Sequence, residues 1–279
     1  MTKISASIVF IALSAAAAPA AHAQSWSGAY IGASLGSAKV PSHSAALIFD
    51  TNLDGQYGDT VRTFANTDYF APGFCRGLAQ GTTPAAGCAK DDSKSGAGIR
   101  AGYDWQMDHM VYGGVLDITG LKLRDSVSGF SSAPDAYSFT RELKTLTAVR
   151  GRIGYAAGHW LVYATAGLAS ADIDRTFATT NALNHFSSIR NKMSGGTQIG
   201  AGGEWKVSHN WSLGLEYLAT SLRDKGPTIL AGPSSQTFAS NPFVMSSVQG
   251  TNIRRSDDRF KIDQVSLTLT YRFGPMMMK

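Results

Sequence analysis

The sequence predicts an all-β fold, an eight-stranded antiparallel transmembrane β-barrel with short periplasmic turns and long extracellular loops. Three observations lead to this fold class: an N-terminal export signal, segments in which apolar and polar residues alternate, and connections that alternate between short and long. After the export signal, the chain has no run of the roughly 20 apolar residues that a membrane-spanning helix needs. Strands are therefore the elements with which this chain would cross a membrane.

The first 23 residues have the pattern of a secretory signal peptide. Lys3 gives a positive n-region, an apolar stretch follows over residues 8–18, and residues 21–23 (Ala-His-Ala) form a small-x-small cleavage site. We therefore expect residues 1–23 to be removed after export and residues 24–279 to form the outer-membrane barrel.

Alternation of apolar and polar side chains marks the strands. The clearest segment, residues 264–273, places Val, Leu, Leu, Tyr and Phe on one face and Gln, Ser, Thr, Thr and Arg on the other. Transmembrane barrel strands have this two-residue period, with apolar residues toward lipid and small or polar residues toward the lumen. The pattern recurs at residues 98–106, 143–155, 194–206 and 211–221, and less cleanly at 28–38, 110–123 and 160–171.

Short and long connections alternate between these strands. In outer-membrane barrels the short turns are periplasmic and the long loops are extracellular. An even number of strands, eight here, closes the ring and brings both chain ends to the periplasmic side. The first loop, about residues 39–95, is the longest, and a short tail, residues 274–279, follows the last strand. The short turns are residues 107–109, 156–158 and 207–210, and the other long connections are about 124–142, 172–191 and 223–261.

Aromatic residues cluster beside the predicted periplasmic turns and termini. Amphipathic rings favour the boundary between headgroups and hydrocarbon, which predicts an interfacial girdle at this level. The alternative, core tryptophans of a soluble sandwich, gives no reason for every Trp to lie at one end. The predicted aromatic girdle consists of Trp26, Tyr103, Trp105, Tyr155, Trp160, Trp205, Trp211 and Phe273.

The lumen-facing positions carry both signs of charge. Charges in a narrow interior of low dielectric constant must be paired, and eight strands leave a space that side chains fill. We therefore expect a salt-bridged plug, with an anion-preferring constriction of Arg100, Arg150 and Arg152 as the alternative. The predicted lumen charge network is Arg100, Asp104, Asp117, Arg150, Arg152, Glu204, Glu216 and Arg272.

Charge and cysteine content limit the partners. The net charge of +5 is spread along the chain, so nucleic acid is not an expected partner. The partners that this location implies are outer-membrane lipid, anionic lipopolysaccharide, the barrel-assembly machinery, and host or environmental ligands at the loops.

Export to an oxidising compartment favours a disulfide between Cys75 and Cys88, and two cysteines are too few for a metal site. No metal and no cofactor is expected.

Short motifs in a specific order carry a family resemblance. Residues 26–32 have a W-x-G-x-Y-x-G pattern, and residues 101–106, 149–155, 200–205 and 271–273 continue the series. Together they resemble the small outer-membrane β-barrel proteins of alphaproteobacteria, in the porin-like, OmpA-type transmembrane barrel superfamily. The resemblance implies a barrel in the Gram-negative cell outer membrane with surface-exposed, antigenic loops. Its members are described as structural proteins, as porins and, in some branches, as haem binders.

The expected function is structural: a surface barrel that supports envelope integrity and surface interaction. The alternatives are a small-solute porin with a charged lumen and a haem-binding surface receptor. No enzymatic activity is expected, because no nucleophile with a base and an orienting partner emerges at the strand tips. Haem would need His or Tyr ligands in the predicted loops, where the candidates are His43, Tyr57, Tyr69, Tyr137 and His185.

Overall fold

The computed structural model describes residues 25–41, 46–91, 93–189, 194–234 and 240–273. The predicted signal peptide and the tail after Phe273 lie outside the described residues. Among the residues that the structure describes, no helix is long and apolar enough to cross a membrane. The strands, in chain order, are β1 (Gly28–Lys39), β2 (Leu47–Asp50), β3 (Gly73–Arg76), β4 (Leu78–Ala79), β5 (Cys88–Ala89), β6 (Lys94–Met107), β7 (Met110–Phe130), β8 (Ala136–Ala157), β9 (Trp160–Thr179), β10 (Asn184–Ile189), β11 (Ser194–Lys206), β12 (Trp211–Arg223), β13 (Thr228–Ser234), β14 (Thr251–Arg255) and β15 (Arg259–Arg272), with short 3-10 turns at Pro84–Ala86 and Pro242–Val244.

Eight long antiparallel strands close into a ring in the order β1-β6-β7-β8-β9-β11-β12-β15, with β15 pairing back onto β1. The predicted eight-stranded barrel is therefore confirmed. Residues 108–109, 158–159 and 207–210 form the tight turns at one end of the ring. Both ends of the described chain also lie here, because Arg272 pairs in register with Tyr30 near the start of β1.

Side chains of the ring alternate between lipid and lumen. On β15, Leu267 is 67% exposed while its neighbours Ser266 and Thr268 are buried. Exposed apolar side chains cover the outer face of the ring, as expected for a surface that contacts hydrocarbon rather than water. The ring therefore has an apolar exterior and a largely polar interior in its lower half.

The outer ends of the strands extend beyond the lengths that the alternating pattern predicts. Two of the expected loops, residues 124–142 and 172–191, are largely strand, since β7 continues to Phe130 and β8 begins at Ala136. Residues 125–130 are buried on both faces: Val127 packs in a hydrophobic cluster on one face, and Ser128 on the other face hydrogen-bonds to the backbone of residues 77 and 79. A strand covered on both sides has no alternating pattern, and this explains why the sequence did not reveal it.

A second sheet lies over the extracellular end of the ring. It has four antiparallel strands in the order β10-β13-β14-β2, contributed by three different connections between ring strands. We refer to this sheet, together with residues 57–74 and 240–250, as the cap. Aromatic side chains fill the space beneath it: Phe49, Tyr69, Phe70, Tyr137, Phe139 and Phe243 belong to one buried cluster.

The first prediction concerns the lipid-facing surface. Leu267→Arg places a charge near the middle of the apolar band and should lower the free energy of unfolding by about 2–4 kcal/mol. Ser170→Arg is the matched control, because Ser170 is exposed near the outer end of the band, where the same change costs about 0–1 kcal/mol. Denaturant unfolding in lipid vesicles, followed by tryptophan fluorescence, measures both. Equal costs at the two positions would contradict the depths assigned to them within the apolar band.

Candidate functional site

The lower part of the lumen holds a tier of ion pairs centred on Arg152. Its guanidinium donates to Asp104 Oδ1 at 2.7 Å and to Glu204 Oε1 at 2.7 Å, and Arg272 donates to Asp104 Oδ2 at 2.8 Å. The Tyr30 and Tyr163 rings lie 4.8 and 4.9 Å from the Arg152 guanidinium carbon, a cation–π arrangement. Arg152 is thus held by hydrogen bonds in its plane and by aromatic rings on its faces.

A second tier of ion pairs lies one step closer to the cell surface. Arg100 is 2.9 Å from Asp117 and 2.7 Å from Glu216, and Arg150 is 2.9 and 3.3 Å from the same two carboxylates. Tyr163 links the tiers, because its hydroxyl donates to Glu216 at 2.9 Å while its ring contacts Arg152. Two guanidinium groups and two carboxylates therefore form a closed square.

The pairs of Glu216 cross the lumen, whereas Asp117 on β7 pairs with arginines of the two adjacent strands, β6 and β8. Arg100 on β6 and Arg150 on β8 both reach Glu216 on β12, and neither strand is adjacent to β12 in the ring. The structure brings together all eight residues of the predicted lumen charge network. Each is buried, and four arginines meet four carboxylates, so the charges balance. No charged side chain of this set is left to line an open channel.

The strands position this network by their two-residue period. Arg150 and Arg152 point inward from β8, and Arg100 and Asp104 point inward from β6. Glycines on the same inward faces leave room for these large side chains. A Cβ at Gly113 would lie 2.0 Å from Asp104 Oδ1, and a Cβ at Gly102 would lie 2.4 Å from the Tyr30 hydroxyl. Glycines on the inward faces therefore leave the space that the side chains of the ion-pair tiers occupy.

Trp26 is not part of the aromatic girdle, which corrects the sequence prediction. Its side chain is completely buried in the floor of the lumen, against Val111 and Leu161. The ring lies 4.7 Å from Lys206 Nζ, and Arg272 donates to the Trp26 carbonyl at 2.6 Å. Trp26 precedes β1, so the alternation of that strand does not set its direction. The chain before β1 crosses the periplasmic end of the ring, and the indole of Trp26 fills the lumen there.

The other seven girdle residues lie around the periplasmic end with their rings on the outer face. Trp160 and Trp205 have ring centroids 6.1 Å apart on neighbouring strands, and Tyr103 and Trp105 are 4.6 Å apart. Tyr271, which the sequence reasoning left out, bridges Trp211 and Phe273 at 5.0 and 5.2 Å. Exposed fractions of 43–57% are found for Trp105, Tyr155, Trp160, Trp205, Trp211 and Phe273, and Tyr103 is half-buried.

An apolar layer fills the lumen above the ion pairs. Leu123, Leu143, Leu222 and Phe260 are fully buried there, and Ile262 is nearly so. Apolar side chains on the inward face break the polar-inside pattern of the lower barrel. The sequence signal was present, because inward positions change from Ser, Thr and Gln to Leu, Ile and Phe along the outer part of β12 and β15.

A third set of ion pairs lies between this layer and the cap, and the sequence reasoning missed it. Asp125 accepts from Arg141 at 2.7 Å and from Arg255 at 2.9 Å. Asp257 and Asp224 complete the set, with Asp224 accepting from Arg175 at 2.8 Å. Burial alone lowers the pKa of the Arg255 guanidinium, but Asp125 and Asp257 outweigh that effect and raise it. Arg255 comes from the cap, so this set ties the cap to the ring.

Cys75 and Cys88 form a disulfide in the first long connection, with Cα atoms 6.3 Å apart. Cys75 lies on β3, which pairs with the outer end of β7, and Cys88 lies on β5, which pairs with β4. The bridge therefore holds a small two-stranded unit against the side of the ring above the apolar band.

Among the described candidate haem ligands, Tyr69 and Tyr137 lie together, and Tyr57 and His185 lie elsewhere. Tyr69 and Tyr137 are buried in the aromatic cluster, with Tyr137 accepting from Asn181 at 2.8 Å. Tyr57 lies under the Arg254 guanidinium at 3.7 Å, and His185 is exposed on β10. His43 lies outside the described residues. Within the described ranges, no group of three His, Cys, Asp or Glu side chains is placed to hold a metal ion.

A closed ring with an apolar outer band and a filled, charged interior defines an integral outer-membrane β-barrel protein. The chain belongs to the family described as outer membrane protein beta-barrel domain, which matches residues 8–273. It is 27% identical over 255 residues to the 31 kDa outer-membrane immunogenic protein of Brucella melitensis biotype 1, covering 91% of each chain. It is 31% identical over 146 residues to the 22 kDa outer membrane protein of Rhizobium leguminosarum bv. viciae, covering 52% of this chain and 61% of that one.

The fold is also similar to a solved structure, the outer membrane protein OprG from Pseudomonas aeruginosa. The TM-score is 0.50 at 10% identity, covering 88% of this chain and 97% of OprG. This likeness concerns the fold alone. The family and the relatives place the protein in the Gram-negative outer membrane and confirm the resemblance to the alphaproteobacterial barrels.

The second prediction tests the ion pairs of the lumen. Glu216→Gln keeps the side-chain volume but leaves Arg100 and Arg150 with only one carboxylate between them. Breaking a buried pair in this way should lower the free energy of unfolding by about 3–5 kcal/mol. The control, Asp174→Asn, removes a carboxylate from the exposed Lys144 pair and should cause no measurable change. Denaturant titration in detergent micelles compares the two variants. Similar losses of unfolding free energy would contradict a larger stability contribution from the buried lumen pairs than from an exposed pair.

Proposed function

We propose that this protein is a structural outer-membrane barrel with a sealed lumen, which supports the envelope and presents its cap for surface interaction. The observation that carries the proposal is the set of ion pairs that cross the ring from β6 and β8 to β12. Side chains that bridge a lumen block it, and they tie opposite walls of the ring together.

The seal has several successive layers. Trp26 forms the floor, the two tiers of ion pairs lie above it, and the apolar layer around Leu143 and Phe260 follows. The ion pairs of Arg141 and the cap close the outer end. A porin would need all of these layers to open, and the arginines of the alternative anion-preferring constriction already have protein carboxylates as partners.

The cap supports a role at the cell surface. Its sheet is ordered on an aromatic core, and Phe64 at the tip of the hairpin of residues 61–69 is 79% exposed. Exposed aromatic residues on a rigid element are suited to protein contacts. The Brucella relative is named an immunogenic outer-membrane protein, which agrees with a surface that external molecules reach. We propose that the cap, rather than the lumen, contacts such molecules, and that no catalysis takes place.

The third prediction is electrical. Full-length mature protein in planar lipid bilayers should produce no stable conductance steps under conditions in which a general porin does. The triple variant Arg100→Ala, Arg150→Ala, Glu216→Ala should also stay silent, because the apolar layer above it remains. Stable steps from the wild-type protein would overturn the sealed lumen, and a shift of ion selectivity in the triple variant would then assign a porin constriction.

The fourth prediction concerns the envelope. Deletion of the gene should increase sensitivity to detergents and bile salts, and the wild-type protein supplied in trans should restore resistance. A Phe64→Ser protein should restore it equally, since the change lies on the exposed tip and leaves the ring intact. A deletion strain with an unchanged detergent sensitivity would contradict the structural role.

A further inference from the structure

Four basic side chains point outward near the outer ends of three adjacent ring strands. They are Arg223 on β12, Arg259 and Lys261 on β15, and Lys39 on β1. All four are exposed, while Phe260 and Ile262, the residues between and beside those of β15, point into the apolar layer. We refer to these four residues as the basic face.

The register of the strands places like charges side by side. Arg223 is directly opposite Arg259, and Lys261 is opposite Ser221 on β12. Lys39 is opposite Asp263, so Lys39 and Lys261 are diagonal neighbours, about 7–8 Å apart by the usual geometry of a sheet. Like charges directly opposite each other destabilise a strand pair unless an anion lies between them.

The protein itself does not supply that anion. Across the described ranges, none of the four side chains makes an ion pair or a hydrogen bond with another side chain. Asp263, which is directly opposite Lys39 and two residues below Lys261, instead accepts from the Tyr217 hydroxyl at 3.1 Å. On the opposite side of the ring, by contrast, Arg124 is paired with Glu142 and Lys144 with Asp174.

The height of the basic face matches the outer boundary of the membrane. Lys261 is ten positions before Tyr271, which lies in the periplasmic girdle. At about 3.4 Å per residue and a strand tilt of about 40°, Lys261 lies roughly 26 Å above Tyr271. The apolar band of such barrels is about 25 Å tall. The four cations therefore lie at the headgroups of the outer leaflet.

We propose that the basic face binds the phosphate groups of lipopolysaccharide, the anionic lipid of the outer leaflet. Arginine and lysine are the side chains that take phosphate, and Arg223 and Arg259 can each donate two hydrogen bonds to one phosphate group. Below them, Tyr217 and Val265 are exposed on the same strands in the outer half of the apolar band, where they face the acyl chains of the same lipid. A bound phosphate would remove the repulsion between the paired cations.

The proposed lipid site depends only on the location of the barrel in the outer membrane. It is independent of whether the lumen is sealed, so this inference and the conductance experiment fail or succeed separately.

The test titrates bisphosphorylated lipid A into full-length mature protein in detergent micelles, with bound lipid counted by native mass spectrometry. The site variant is Arg223→Gln, Arg259→Gln, Lys261→Gln. The matched control, Lys122→Gln, Arg124→Gln, Lys144→Gln, removes the same charge from β7 and β8 across the ring. Heat-modifiable migration on gels verifies that each variant is folded.

We expect the site variant to bind lipid A at least tenfold more weakly than the wild type, and the control variant to bind within twofold of the wild type. Lipid A without its phosphates should bind the wild type as weakly as lipid A binds the site variant. Equal losses in both variants, or unchanged binding of phosphate-free lipid A, would overturn the proposal. Displacement of lipid A by millimolar inorganic pyrophosphate would assign a site for soluble anions instead and also overturn it.

Discussion

Closure of the ring is the constraint on which the rest of this structure depends. A bilayer offers no partners for backbone amides and carbonyls, so the strand edges must pair with each other, as β15 does with β1. Eight strands make the smallest common ring, and its interior is only wide enough for side chains. Everything placed inside must therefore fill the space and satisfy its own polar groups.

The arginine–carboxylate pairs meet both demands. A guanidinium on a long side chain reaches the middle of the lumen, and its planar donors match two carboxylates, as Arg152 does with Asp104 and Glu204. Such pairs bring little net stability relative to apolar packing, but the loss of one member is costly. Their effect is to hold opposite walls at one distance and to make the filling of the lumen specific.

The outer half of the protein follows a different principle. Above the apolar band, the chain is again in water, and the strands of the ring extend beyond the membrane to carry a cap with its own aromatic core. Arg255 of the cap meets Asp125 of β7 at 2.9 Å, and the Cys75–Cys88 bridge holds the first connection against the ring. The lumen and the surface are thus joined into one body, while the exposed charges at the outer ends of the strands differ from one side of the ring to the other. Within the described residues, the four side chains of the basic face have no carboxylate partner, whereas Arg124 of β7 and Lys144 of β8 are paired.

The sequence by itself determined the class of fold, the compartment and the content of the lower lumen. These follow from local patterns in the sequence. A two-residue alternation sets which side chains point into the ring, and the lengths of turns and loops set which end of the ring faces the periplasm. For this reason the eight charges that alternation directs inward are buried in the structure, and seven of the eight residues proposed for the girdle have their rings on its outer face.

The tertiary structure decided what periodicity does not carry. The direction of Trp26 depends on how the chain folds beneath the ring, because that residue lies outside any strand. The partners of Arg141 and Arg255 depend on contacts between segments more than 100 residues apart. The outer ends of β7 and β8 are buried on both faces and therefore show no alternation. Long-range packing, rather than local pattern, built the cap and the upper seal.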